Sequence, residues 1–157
     1  MKLADLIITE SVIPELKATD RNGVLRELIE SIGKHGVFDQ ADQDRVLQTV
    51  IARERQGSTG FGKGVAVPHA KHAAVKRMCA TIGRSSVGVD FAALDRAPVY
   101  TIVLLLSPQS DADGHLAAME KIFRHLQRDE FRRFLRQALT KEAIAELIIE
   151  ADELQDG

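Results

Sequence analysis

Between Arg53 and Lys71 the chain reads Arg-Glu-Arg-Gln-Gly-Ser-Thr-Gly-Phe-Gly-Lys-Gly-Val-Ala-Val-Pro-His-Ala-Lys. One short segment thus carries a guanidinium, two adjacent hydroxyls, four glycines and an imidazole. That assortment suits a phosphoryl group. Arg53 offers a planar, permanently charged fork that matches phosphate oxygens. Gly57, Gly60, Gly62 and Gly64 let main-chain amides approach an anion closely, and Ser58 and Thr59 add hydroxyl donors. Pro68 fixes its own φ and holds Val67 extended, so the backbone entering His69 is stiff. Histidine is the nucleophile in this set that is substantially unprotonated near neutral pH without special activation. The chemistry this points to is a histidine that accepts a phosphoryl group, with neighbours that offset its charge.

Nucleotide binding is the first alternative, and it fails on detail. Gly57 to Lys63 matches Gly-x-x-x-x-Gly-Lys, but Gly64 stands where a P-loop needs the Ser or Thr that holds magnesium. Such a loop also leaves a strand and opens a helix, whereas this one follows helical periodicity and leads into Val65-Ala66-Val67. Gly60-x-Gly62 begins a dinucleotide fingerprint, yet its third glycine falls on Val65. Blander readings stay open at this level: glycines that only make a turn, an arginine that only complements a helix dipole, and a histidine with no chemical role.

The same segment resembles a family. Arg-Glu-x-x-Gly-Ser-Thr-Gly-x-Gly-x-Gly-Val-Ala-Val-Pro-His is similar to the phosphorylation-site signature of enzyme IIA domains of the fructose/mannitol class. These belong to the bacterial phosphoenolpyruvate-dependent phosphotransferase system, and the wording most resembles the nitrogen-regulatory branch, enzyme IIA-Ntr. Val89-Asp90-Phe91-x-Ala93-Leu94-Asp95, Pro98-Val99, Pro108 and His115-Leu116 continue the likeness over nearly the whole chain. The resemblance implies that His69 is the phosphoryl acceptor, that Arg53 stabilises the phosphate, and that His115 is a second histidine beside the acceptor. It implies an HPr-like phosphocarrier as donor, and regulatory targets or a IIB component downstream. Two positions depart from the pattern: Ala70 replaces the usual glycine after the histidine, and Lys63 stands where many relatives carry asparagine. Ala70 bears on the turn after His69, and Lys63 is a possible extra cation near the phosphate.

His115 follows Asp111-Ala112-Asp113-Gly114 and opens a helix, where free amides and the dipole disfavour an imidazolium. A neutral His115 can orient His69 or touch a phosphate oxygen; the alternative is a first-turn histidine without a partner. His69-x-x-His72 with His115 raises a metal site, but the spacing departs from the usual zinc pattern and no carboxylate or cysteine completes it. No metal or cofactor is called for by anything visible here. His35 and His125 read as exposed.

The elements that must position these residues follow from periodicity. Val24, Leu25, Leu28, Ile29 and Ile32 give a helical stripe that ends near Gly33 and Gly36. Asp39 is placed to cap a second helix with Val46, Leu47, Val50 and Ile51 inward, which delivers Arg53 from its last turn. Met78 to Gly83 predicts a strand, and Val99 to Leu106 a strand covered on both faces. Leu116, Met119, Ile122, Phe123 and Leu126 mark a third helix. Phe131, Phe134 and Leu135 mark a fourth, and Ile144, Leu147 and Ile148 a fifth capped by Thr140. The expectation is an α/β fold, a mixed sheet flanked by helices, as a single domain over 1–157 with an ordered core of about 3–152. The acidic C-terminal end is expected to fray.

Composition narrows the partners. The net charge of −2 leaves no broad basic surface, so nucleic acid is not expected. The apolar run Ile102–Leu106 is far too short to span a bilayer, no secretory segment is seen, and the lone Cys79 forms no internal disulfide. A cytoplasmic protein without membrane insertion is the expectation. The overall reading is a phosphohistidine carrier that acts as a regulatory switch, or else a sugar-specific relay to a IIB component. It is a carrier with a phosphohistidine intermediate rather than a free-standing small-molecule enzyme.

Overall fold

In the computed structural model the described residues are Met1 to Asp156, with side chains described to Leu154. A mixed sheet forms the spine. Strand β5 (Val99–Pro108) is its centre; β4 (Cys79–Val89) lies antiparallel on one edge. On the other edge, β2 (Val65–Ala66) and β3 (His69–His72) pair with β5 in parallel, one after the other, and β1 (Gly60–Gly62) adds an antiparallel hairpin to β2. Val67 and Pro68 interrupt what would otherwise be one strand, since proline has no amide to donate to the ladder.

The run Ile102-Val103-Leu104-Leu105-Leu106 is fully apolar because both faces of β5 are covered. One face carries Ile102, Leu104 and Leu106 against α2 (Arg21–Ile32) and α3 (Gln43–Gln56). The other carries Val103 and Leu105 against α1 (Leu3–Leu6), α4 (Ala112–Leu126), α5 (Asp129–Gln137) and α6 (Lys141–Asp156). Asp152 of α6 is buried and accepts from the amides of Leu3 and Ala4 at 2.8 and 3.0 Å, tying the last helix to the first. The acidic end expected to fray, past about residue 152, continues α6 to Asp156, with side chains described to Leu154.

Several local expectations are corrected. Asp39 caps no helix by its side chain; it opens a short 3-10 turn and pairs with Lys76 at 2.8 Å. Both β4 and β5 run longer than the apolar pattern suggests, because β4 continues through buried Arg84 and Ser85 and β5 through buried Ser107. Leu116 lies on the exposed side of α4, while His125 takes a fully buried position. His35 is half-buried. Thr140 does cap α6, its Oγ1 accepting from the Ala143 amide at 3.0 Å. Among the described residues no helix is long and apolar enough to cross a membrane.

Candidate functional site

Three elements deliver the site. Val46, Leu47, Val50 and Ile51 bury one face of α3, so the helix ends over the β3 side of the sheet with Arg53 in its last turn. Arg53 Nη1 donates to the Gly57 carbonyl at 2.7 Å, closing the helix end and leaving the rest of the guanidinium free of described partners. Glu54 points the other way, into the protein. It is buried, and its two carboxylate oxygens accept from the amide and the hydroxyl of Thr59, each at 2.7 Å.

His69 opens β3 opposite Leu105. Its Nδ1 lies 2.8 Å from the Val67 carbonyl oxygen. A carbonyl only accepts, so Nδ1 carries the proton and Nε2 is the unprotonated nitrogen of the neutral ring. The ring is half-buried, and burial is the main reason its pKa falls below the ordinary histidine value. The cations of Arg53 and Lys71 push the same way, while the Val67 hydrogen bond and the Glu54 carboxylate oppose them.

His115 enters from the first turn of α4, where Asp111 caps the helix by accepting from Gly114 N at 3.0 Å. Its ring centre lies 5.4 Å from that of His69, with the planes tilted by 50°. Burial, with the nearby His69 and Lys71, pushes its pKa down to about 4, so it is neutral at physiological pH. Its Nδ1 lies 2.7 Å from the Oγ of Ser107, itself fully buried near the end of β5. The structure thus brings together His69, His115 and Arg53, and adds Ser107, Glu54 and Lys71, which sequence reasoning did not single out. Ser107 directly follows the apolar β5 run, the one signal for it; nothing local marked the other two.

The glycine loop divides. Ser58 Oγ donates to the Phe91 carbonyl at 2.5 Å and accepts from the Gly60 amide at 3.0 Å, and the Thr59 hydroxyl goes to Glu54. Both hydroxyls thus serve the loop itself. Gly62 and Gly64, with φ of 106° and 77°, flank Lys63 at 61° in the β1–β2 turn. Lys63 is correspondingly turned away: its amide binds Asp95 at 3.0 Å, and its side chain borders a cleft with Arg132, Arg133 and Arg136. The second cation acting on His69, after Arg53, is Lys71 instead. Ala70 has no left-handed φ and pairs with Leu106 as an ordinary strand residue. His72 Nδ1 accepts from the Ala74 amide at 2.9 Å.

A neutral imidazole with one fixed free nitrogen, a second neutral imidazole and an arginine form an arrangement suited to nucleophilic attack on an anionic group. Comparison with known proteins decides the family. Residues 5–151 match the family described as phosphoenolpyruvate-dependent sugar phosphotransferase system, EIIA 2. The chain belongs to that family. This EIIA domain is 30% identical over 144 residues to a nitrogen regulatory protein of Bradyrhizobium diazoefficiens, covering 92% of each chain. It is also 30% identical over 152 residues to the fructose-specific EIIABC component of Bacillus subtilis, covering 97% of this chain but only 24% of that protein. Among solved structures, the nitrogen regulatory protein IIA-Ntr of Neisseria meningitidis superposes with a TM-score of 0.84 at 25% identity, over 93% of this chain and 98% of that one. The mixed sheet flanked by helices is therefore the fold of IIA domains.

Proposed function

We propose that this EIIA domain is a phosphohistidine carrier that accepts a phosphoryl group on Nε2 of His69 from an HPr-like protein and acts as a regulatory switch in the nitrogen phosphotransferase system. The observation that carries the reading is the 2.8 Å contact from His69 Nδ1 to the Val67 carbonyl, which leaves Nε2 as the nucleophile. The bond between phosphorus and the donor's ring nitrogen breaks as the bond to Nε2 forms. The donor ring, protonated on its other nitrogen, leaves neutral. His69 keeps its Nδ1 proton and takes up the positive charge, which the Val67 carbonyl stabilises. Arg53 faces the three phosphoryl oxygens, because such transfers depend chiefly on positioning and electrostatics.

Likeness along nearly the full length of the Bradyrhizobium nitrogen regulatory protein and of the Neisseria IIA-Ntr supports the switch. A relay to a IIB component of a fructose-type transporter is the second reading, favoured by the equal identity to the fructose-specific EIIABC component. The test is phosphate transfer from phosphoenolpyruvate through enzyme I and an HPr-like protein, read by intact mass under alkaline conditions. One acid-labile phosphate on wild type and none on His69→Ala is expected; an unmodified wild type with an active donor overturns the carrier. Onward transfer to a purified IIB protein selects the relay. Retention of the phosphate, with binding to a regulator that differs between the two states, selects the switch.

A further inference from the structure

We infer that Ser107 fixes the tautomer of His115, so that the ring offers an N–H, rather than a lone pair, to a phosphoryl group held on His69. The role assigned to that N–H rests on the carrier reading above; the tautomer itself does not.

Ser107 Oγ and His115 Nδ1 are 2.7 Å apart and lie between residues that are 0% and 8% exposed. A neutral imidazole holds one proton, on Nδ1 or on Nε2. If it sits on Nδ1, that N–H donates to Ser107 Oγ and the serine proton must find another acceptor. His115 Nδ1 is the one partner of Ser107 Oγ among the described residues. A buried hydroxyl proton without an acceptor is disfavoured. If instead the serine donates to Nδ1, every buried proton is matched and the ring proton sits on Nε2. Nε2 of His125 is the only fully buried side-chain polar atom without a partner among the described residues, so His115 Nε2, which bonds to none of them, is not sealed from solvent.

The two rings then carry opposite tautomers for opposite reasons. The Val67 carbonyl forces His69 to hold its proton on Nδ1 and present a lone pair; the Ser107 hydroxyl makes His115 accept on Nδ1 and present a proton. The ring centres are 5.4 Å apart, close enough for a lone pair on one ring and a donor on the other to serve one phosphoryl group. The opposite tautomer of His115 would aim a lone pair at phosphoryl oxygens and repel them. Register places Ser107 across the ladder from Lys71, two residues beyond His69 on β3, so the same strand pair holds both hydrogen-bonded rings in place. Ser107 touches no reacting atom and is a positioning residue.

The experiment is long-range proton–nitrogen NMR on the unphosphorylated protein labelled with nitrogen-15, paired with the transfer assay. Wild type is expected to show His115 as the Nε2–H form and His69 as the Nδ1–H form. In Ser107→Ala the His115 nitrogen shifts should move toward averaging between tautomers, and the rate of phosphoryl acceptance should fall roughly tenfold, the scale of one lost hydrogen bond. Ser107→Thr, which keeps the hydroxyl, should restore both readouts; Ser107→Cys, a weak donor of similar size, should fall between. An Nδ1–H His115 in wild type, or His115 shifts that Ser107→Ala leaves unmoved, overturns the inference. A wild type with the expected tautomers that never takes up phosphate sinks the carrier reading and leaves the tautomer assignment standing.

Discussion

Both backbone and side-chain protons of Thr59 are captured by one carboxylate, that of Glu54, at 2.7 Å each. This clasp joins the last turn of α3 to the start of the β1–β2 hairpin, so the segment between Arg53 and His69 is shaped from inside the protein. Thr59→Val removes one of the two bonds and leaves a buried carboxylate oxygen short of a donor. The expected cost is about 1–3 kcal/mol of stability, measured by urea denaturation. Phosphoryl acceptance should fall much less than in an Arg53 variant; an equal fall would show the hydroxyl working on the phosphate directly.

Arg53 acts on His69 through charge. Burial first, and then the Arg53 cation, hold the His69 pKa below its ordinary 6.5. On the carrier reading the nucleophile is the neutral ring, so the acceptance rate should decline at a lower pH than for a histidine with the ordinary pKa. Arg53→Gln should move that decline to higher pH and lower the plateau by roughly 100-fold, the cost of losing one preorganised donor. A pH–rate profile for the two proteins checks both effects. An unshifted inflection would place Arg53 outside the field of His69.

His125 governs acid stability. It is fully buried, with Nδ1 3.3 Å from Arg128 Nη1, and it lines a small apolar cavity beside Leu3, Ile122 and Phe131. Burial, reinforced by Arg128, pushes its pKa from 6.5 down to about 4. Above pH 6.5 the ring is neutral in both folded and unfolded chains and stability does not depend on it. Between 6.5 and about 4 the unfolded chain binds the proton and the folded one does not, so stability falls as pH falls. His115 contributes in the same direction over the same window. His125→Leu should flatten the decline between pH 6.5 and about pH 4 by up to one proton, read from chemical denaturation at each pH.

Ala70 tests the departure from the family's glycine. It lies in β3 at 5% exposure, without a left-handed φ. Ala70→Gly should therefore leave phosphoryl acceptance unchanged and cost about 0.5–1 kcal/mol of stability, the entropic penalty of glycine in a regular element. A marked gain in acceptance would mean that the alanine methyl restrains the acceptor.

Much of the site was legible because its parts are local in sequence. Pro68 stiffens the backbone before His69, the stripe Val46 to Ile51 orients α3, and helix phase alone brings Arg53 to the loop. The double-faced apolar run of β5 announced a strand buried between layers. The resemblance placed His115 beside His69, but physics read from the chain could only put it at a helix start. Where the local reading strayed, long-range partners were the cause. Ser58 and Thr59 are good phosphate donors by type, yet Phe91 and Glu54 already hold their protons. Lys63 precedes His69 by few residues, yet it sits in a left-handed turn and lines a cleft with Asp129, Arg132 and Arg136.

Side-chain type and periodicity act over a few residues, and they alone point to a histidine, an accompanying arginine and helices packed on both sides of a central strand. Which protons are already taken depends on folding. The choice of ring nitrogen on His69, the pairing of Ser107 with His115 and the burial of His125 each depend on atoms that folding brings together from separate elements. A hydrogen bond's direction is set by that meeting and leaves no local trace in the chain.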